Sequence, residues 1–237
     1  MRRLLMSWSS GKDSAWALHV LRQEAAVQIV GLVTTTNAAA GRVAMHAVRQ
    51  SLLERQADAL GLPLDIVPLP QPCSNDDYEA AMRRYFAQAR ARHIDGIAYG
   101  DLLLRDVRAY RERLMHGSGL DAVFPLWEQD TAELARLMVG SGLRAYLTCV
   151  DPRQMPAHFA GRRFDAAFLD ELPQGIDACG ENGEFHTFVT QGPMLRHTVD
   201  VLRGDVEERD GFVFCDLKQP ETRGGDDAQE QAGRFHH

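Results

Sequence analysis

Five short apolar runs, each followed by a stretch of helical spacing, constrain this chain more than any other feature. Arg3–Trp8, Val27–Thr36, Leu64–Leu69, Ile94–Asp101 and Ala122–Leu126 read as strands. Gly11–Glu24, Val43–Leu60, Asp76–Arg92 and the stretch marked by Val107, Tyr110 and Leu114 read as helices. Strands joined through helices of this length run parallel, with right-handed crossovers and helices on both faces. The expected fold is α/β: a five-stranded parallel sheet, complete by about Trp127. A ligand then belongs beyond the carboxyl ends of the strands, near the point where strand order reverses. The loops at that end are Ser9–Ser14, Thr34–Met45, Gly100–Arg105 and Pro125–Asp130.

The remainder has a different rhythm. Asp130-Thr131-Ala132-Glu133 has the form of a capping box before a helix. Arg144–Val150 reads as a strand and Arg163–Leu172 as a short helix. Phe185–Val189 and Thr198–Leu202 follow as strands, with a hairpin turning at Asp210-Gly211. The expected division is residues 1–128 as the larger α/β domain, 129–218 as a smaller α+β domain, and 219–237 as a polar, disordered tail.

Composition narrows the class. Of 237 residues 45% are hydrophobic and 25% charged, enough apolar matter for a real core. No apolar run approaches the ~18–20 residues of a membrane span. The opening Met1–Trp8 is too short in its apolar part for a signal peptide and is read as a buried strand of a cytoplasmic protein. The 26 basic against 33 acidic residues give a net charge of −7, which weighs against a general nucleic-acid or membrane binder. The four cysteines form no C-x-x-C pair, so neither a zinc ribbon nor a dithiol redox motif is expected.

The strongest local signal is strand, then Ser9-Ser10-Gly11-Lys12-Asp13-Ser14, then helix. A glycine permits a tight turn, and the amide groups freed at a helix start carry partial positive charge suited to phosphate. The three serines offer hydroxyls and Lys12 a mobile cation. The spacing is neither a Walker A loop nor a G-x-G-x-x-G turn. A plain strand-to-helix turn capped by Asp13 or Ser14 is the bland alternative.

That loop resembles the S-G-G-x-D-S phosphate loop of the ATP pyrophosphatases, with Ser10 standing where the usual residue is glycine. At Ser10 a more ordinary backbone angle is expected. Gly100-Asp101, Tyr110-Arg111-Glu112, Phe124-Pro125-Leu126-Trp127, Cys149-Val150-Asp151 and the octapeptide Gly180–Thr187 follow in order. Together with Met45-His46-Ala47-Val48-Arg49 they resemble the diphthine–ammonia ligase family, from about Leu4 to about Leu195. The resemblance implies an adenine nucleotide alpha hydrolase (HUP, Rossmann-like) first domain and a second domain closing over a substrate. It also implies ATP and Mg²⁺ as cofactors, a carboxylate acceptor on a protein or small molecule, and ammonia as partner. Adenylation of the carboxylate and displacement of AMP would leave a carboxamide. A homo-oligomer is compatible with this reading.

By that resemblance Ser9, Ser10, Gly11, Lys12, Asp13 and Ser14 hold phosphates, with Lys12 and Asp13 also catalytic and Asp13 organising the loop or serving Mg²⁺ indirectly. Thr34, Thr35 and Thr36, which end the second strand, are a candidate adenosine contact, as are Met45 and His46. Gly100 and Asp101 close the fourth strand, where a carboxylate could orient Mg²⁺ or an amine, or cap a helix. Arg105, Arg108 and Arg111 share roughly one helix face and could clamp a phosphate or remain solvated. Glu181, Asn182, Gly183, Glu184, His186 and Thr187 form a candidate substrate wall. Within it Glu184 could bind ammonia or act as a base toward ammonium, and His186 could shuttle a proton near neutral pH. No protein-held metal site is expected, because Cys179 and His186 lack companions at ligand spacing.

Two other readings stay open. A tRNA-modifying enzyme on the same nucleotide fold is disfavoured by the acidic balance and scattered cysteines. A nucleotide-binding module without chemistry would bind ATP and not turn it over. Fold alone does not separate these.

Overall fold

The computed structural model describes residues 1–37, the backbone of 42–43, and residues 48–220. Met45, His46 and nearly all of the expected tail lie outside the described residues. Five parallel strands form the first sheet in the order β4-β2-β1-β5-β6: Leu64–Leu69, Val27–Asn37, Arg2–Ser7, Gly96–Ala98 and Asp121–Val123. The expected α/β sheet is therefore present, with strand order reversing between β1 and β5. A sixth strand, β3 (Arg42–Val43), returns antiparallel onto the end of β2.

That return corrects the reading of residues 43–60 as one helix. Val43 is in the β3 pairing, and α2 begins only at Gln50 and ends at Leu60. The run Thr34-Thr35-Thr36 is β-branched and prolongs β2 to Asn37, giving β3 an edge to pair with. Gly61 stops α2 in a left-handed cap, at φ 65°. The other helices over this sheet are α1 (Lys12–Leu21), α3 (Asn75–Ala91) and α4 (Arg105–Met115). α3 starts at Ser74, whose side chain and Asp77 form a complete capping box.

The sheet is buried on both faces, as a parallel sheet requires. Adjacent residues separate cleanly. Leu5 and Val33 join the core under α3 and α4 with Phe86 and Ile97, while Met6 and Leu32 face α1 and α2 with Leu18 and Leu53.

Residues 131–218 build an antiparallel sheet around β7 (Arg144–Val150). One edge of β7 pairs along its length with β9 (Phe185–Gln191). Its other edge is shared between β8 (Arg163–Phe164) and β11 (Phe212–Lys218), and β11 also carries β10 (Leu202–Arg209). Asp210 and Gly211 both have positive φ, at 53° and 79°, and make the expected hairpin turn. α5 (Thr131–Gly140) starts at Asp130, as read. The helix expected over 163–172 is shorter: Asp165 accepts the Phe168 amide at 2.9 Å, so α6 spans only Ala166–Asp170 and β8 precedes it. The strand read at 198–202 instead begins at Leu202.

The two regions share one hydrophobic core. Trp8, Leu18 and Leu53 belong to the same buried cluster as Phe164, Phe185 and Val213. A polar tie reinforces it. The fully buried Gln56 amide of α2 donates to Ser10 O at 3.1 Å and Val189 O at 2.7 Å, while its oxygen accepts from Trp8 Nε1 at 2.9 Å. The amide nitrogen makes two bonds and the oxygen one, so one side chain pins the end of β1, the following loop and β9. Replacing Gln56 by Ala strands the Trp8 indole N–H in the interior. The expected loss is about 3 kcal/mol of unfolding free energy, read by urea denaturation. Tryptophan fluorescence and far-ultraviolet circular dichroism should follow one shared transition. A loss below about 1 kcal/mol, or two separate transitions, would contradict the tie.

Candidate active site at the switch point

The chain leaves β1 into Ser9–Gly11 and enters α1 with Gly11 as N-cap and no side-chain cap. Ser10 sits at φ 72°, in the left-handed region, which overturns the expectation of an ordinary angle there. Its carbonyl accepts from Gln56 and from Val189 N at 3.0 Å, and these two donors hold the glycine-like conformation. Ser10 Oγ is buried and has no hydrogen-bond partner among the described residues. Ser9 and Ser14 share a hydroxyl contact at 3.1 Å, and Ser14 also donates to Gly11 O at 3.0 Å.

Lys12 departs most from expectation. It is 2% exposed and is no mobile cation. Its ammonium donates to both Asp13 oxygens, at 3.0 and 2.9 Å, and to the carbonyl of Cys179. The rings of Phe164 and Phe185 lie 5.7 and 5.3 Å away. Burial works to lower the ammonium pKa, but Asp13, with Cys179 and Glu181 adding, outweighs it and holds Lys12 above its ordinary value. Burial likewise pushes the Asp13 carboxyl up, against the pull of Lys12. The backbone amide of Lys12 is also engaged, donating to Thr187 Oγ1 of β9 at 3.1 Å.

Across the switch point, Gly100 packs on the first turn of α1. A Cβ there would lie 2.7 Å from Ser14 N and from the Asp13 carbonyl carbon, so only glycine fits. Arg111 engages both oxygens of Asp101, with Nη2 to Oδ1 at 3.1 Å. The Arg111 guanidinium also lies 4.3 Å from the Tyr99 ring centroid. Arg108 bonds Glu112 at 2.8 Å and stacks near Phe124 and Trp127, and Arg105 pairs with Glu128 at 3.4 Å. The three arginines are therefore each partnered within the fold. Thr34 is buried near the end of β2, opposite Ile66 of β4.

The second wall is the loop 177–184. Gly180 and Gly183, at φ 70° and 82°, make its turns. Glu184 is 1% exposed and faces inward. Its Oε1 accepts from Asp177 N and Asn182 Nδ2, both at 3.0 Å, and its Oε2 from Asn182 N at 2.9 Å. Those bonds make Glu184 a brace of the loop. Burial, with the Lys12 charge adding, pulls the His186 imidazole down to about 4. Asn182 is exposed at the loop tip.

Glu181 crosses to the other wall. Its Oε2 accepts from Leu103 N at 3.0 Å and Leu102 N at 3.3 Å, directly after Gly100-Asp101. Burial, and next the Asp13 carboxylate, push Glu181 up to about 7. Among the expected residues the structure thus gathers Lys12, Asp13, Gly100, Glu181 and Thr187 around the amino end of α1. Gln56 is a positioning residue the sequence reading missed. Its one signal is a glutamine among Leu52, Leu53, Ala57 and Leu60 on the apolar side of α2.

The α1 end suits a phosphate as helix starts do: its N-cap residue, Gly11, gives no side-chain cap, and the Lys12 amide is the one held by Thr187 Oγ1. They do not form a dedicated metal cage: among the described residues no three His, Cys, Asp or Glu side chains are grouped to hold an ion. A divalent ion bound mainly through phosphates needs few protein ligands.

Comparison with known proteins finds relatives over both regions of the chain. Residues 1–122 match the diphthamide synthase N-terminal domain and residues 130–221 the diphthamide synthase C-terminal domain. A zebrafish (Danio rerio) diphthine–ammonia ligase is 26% identical over 227 residues, covering 86% of this chain and 89% of the relative. The cattle (Bos taurus) and human (Homo sapiens) diphthine–ammonia ligases are each 24% identical over 178 residues, covering 69% of this chain and 67% of theirs.

Ser10 supplies the test of this geometry. Glycine there removes left-handed strain and an unpaired buried hydroxyl, against the larger unfolded-state entropy of glycine. Ser10→Gly is expected to raise stability by about 1 kcal/mol, measured by urea denaturation. A destabilised variant would contradict the strained backbone.

Proposed function

Because the chain belongs to the diphthamide synthase family through both of its domains, we propose that it is an ATP-dependent amide-forming ligase. It would activate a carboxylate with ATP, release pyrophosphate, and join ammonia to the acyl group with loss of AMP. The relatives are named for diphthine and ammonia, so a diphthine-type carboxylate is the first acceptor to try. The observation that carries the reading is the meeting of the two loops. Glu181 holds the amides of Leu102 and Leu103, and Thr187 holds the first amide of α1, so the phosphate wall and the substrate wall are one assembly.

The chemistry needs such an assembly. A carboxylate oxygen leaves poorly, and linking it to AMP turns it into a phosphate leaving group. Charge builds on the phosphates during both transfers, and preorganised backbone donors stabilise it most. The residues of this chain divide the work. The amino end of α1 and Ser9 face the phosphates. The Lys12–Asp13 pair fixes the first turn of α1 against Cys179, and the Glu184 brace keeps the opposite loop rigid. Mg²⁺, when bound with ATP, would offset phosphate charge, and no step is assigned to it.

The test uses α-labelled ATP, Mg²⁺, ammonium and a diphthine-bearing protein, with fractionated cell extract as a second acceptor source. Labelled AMP formed only when acceptor and ammonium are both present is the expected result. ADP as the sole product, or ATP binding without turnover across all fractions, would overturn the reading.

A further inference from the structure

Amide formation needs a group to take a proton from nitrogen, and among the described carboxylates that line this site one has an oxygen that accepts no hydrogen bond. Both oxygens of Asp13 face Lys12, and both of Asp101 face Arg111. Asp177 accepts Cys179 N and Glu181 N on Oδ1 and the Thr131 hydroxyl on Oδ2. Glu184 spends both oxygens on the loop. Glu181 alone spends only Oε2, and among the described residues its Oε1 accepts no hydrogen bond.

We propose that Glu181 is the general base of the ammonia step, and that its free oxygen takes the proton from the attacking nitrogen. This rests on the ligase reading above. Ammonia adds its lone pair to the acyl carbon of the acyl adenylate, forming the C–N bond. The tetrahedral adduct then carries a positive nitrogen, and Glu181 Oε1 accepts one of its protons. The bond from carbon to the phosphate oxygen breaks with its electron pair, AMP leaves as the anion, and the carboxamide remains. Glu181 later returns the proton to solvent.

The position suits the task. Oε2 is anchored to the backbone after β5, so the side chain is aimed from a fixed point. The groups facing it are Lys12 and Asp13 from α1, the amides of Leu102 and Leu103, and on its own loop Cys179 and Asp177. Asp13 and burial raise its proton affinity to the neutral range, which matches a base working near pH 7.

Glu181→Gln is the informative variant, because the amide oxygen can still accept from Leu102 and Leu103 while the proton acceptor is lost. Two rates are measured with a diphthine-bearing protein: pyrophosphate exchange into ATP without ammonium, and amide formation at constant free ammonia from pH 5.5 to 8.5. In the wild-type chain amide formation should rise with pH through a limb near 7 and then level. In Glu181→Gln it should fall roughly 100-fold or more and lose that limb, while exchange falls less than tenfold. Glu181→Asp should recover part of the rate. An unchanged amide rate, a retained limb, or a loss cured by raising Mg²⁺ would overturn Glu181 as base and leave the ligase reading standing. Absence of exchange in the wild-type chain would remove that reading and this inference with it.

Discussion

β9 lies against the loop between β1 and α1, and the rest of the site depends on that contact. Val189 N and the Gln56 amide hold the Ser10 carbonyl from two sides, and Thr187 takes the Lys12 amide. The Lys12 ammonium then reaches back to the carbonyl of Cys179, one residue before the turn that presents Glu181. A buried ammonium is costly unless paired and fully bonded. Here Asp13 supplies the charge, Cys179 the remaining acceptor, and two aromatic rings the enclosure. Removing either partner region would leave that charge uncompensated, so the loop and the second sheet hold one another in place.

The same contact explains why two sequence segments of different character form one body. Each brings half of a shared core and half of a polar network. The parallel sheet sets where the network can form, because strand order reverses only between β1 and β5. The loops that follow those two strands approach closely enough for Gly100 to touch the first turn of α1. The antiparallel sheet then brings the 177–187 segment against α1 and the loop after β5.

Much of this was legible in the sequence. The five strands and their helices announced themselves through alternating β-branched runs and 3.6-residue spacing. Asp130 and the Asp210-Gly211 turn carried specific local signals. β3 was not legible, because two residues show no period and their pairing is set by how far β2 extends. The two glycines of 180–183 marked a turn that displays functional side chains. They could not say which glutamate faces inward. That choice depends on the amides of Asp177 and Asn182, which donate to Glu184, and on those of Leu102 and Leu103, which lie 79 and 78 positions away from Glu181. Lys12 looked like a free cation because its acceptor is a backbone carbonyl 167 positions distant. Ser10 looked incompatible with a glycine angle because the donors that enforce it come from α2 and β9.

The central claim is that one nucleotide site is built jointly by the α1 amino end and the 177–187 segment. Amide hydrogen exchange of the full chain, with and without saturating ATP and Mg²⁺, addresses it most directly. The account predicts that exchange slows together at residues 9–14 and 177–187, with little change along β10 and β11. Protection confined to one of the two segments, or absent from both at saturating nucleotide, would contradict it.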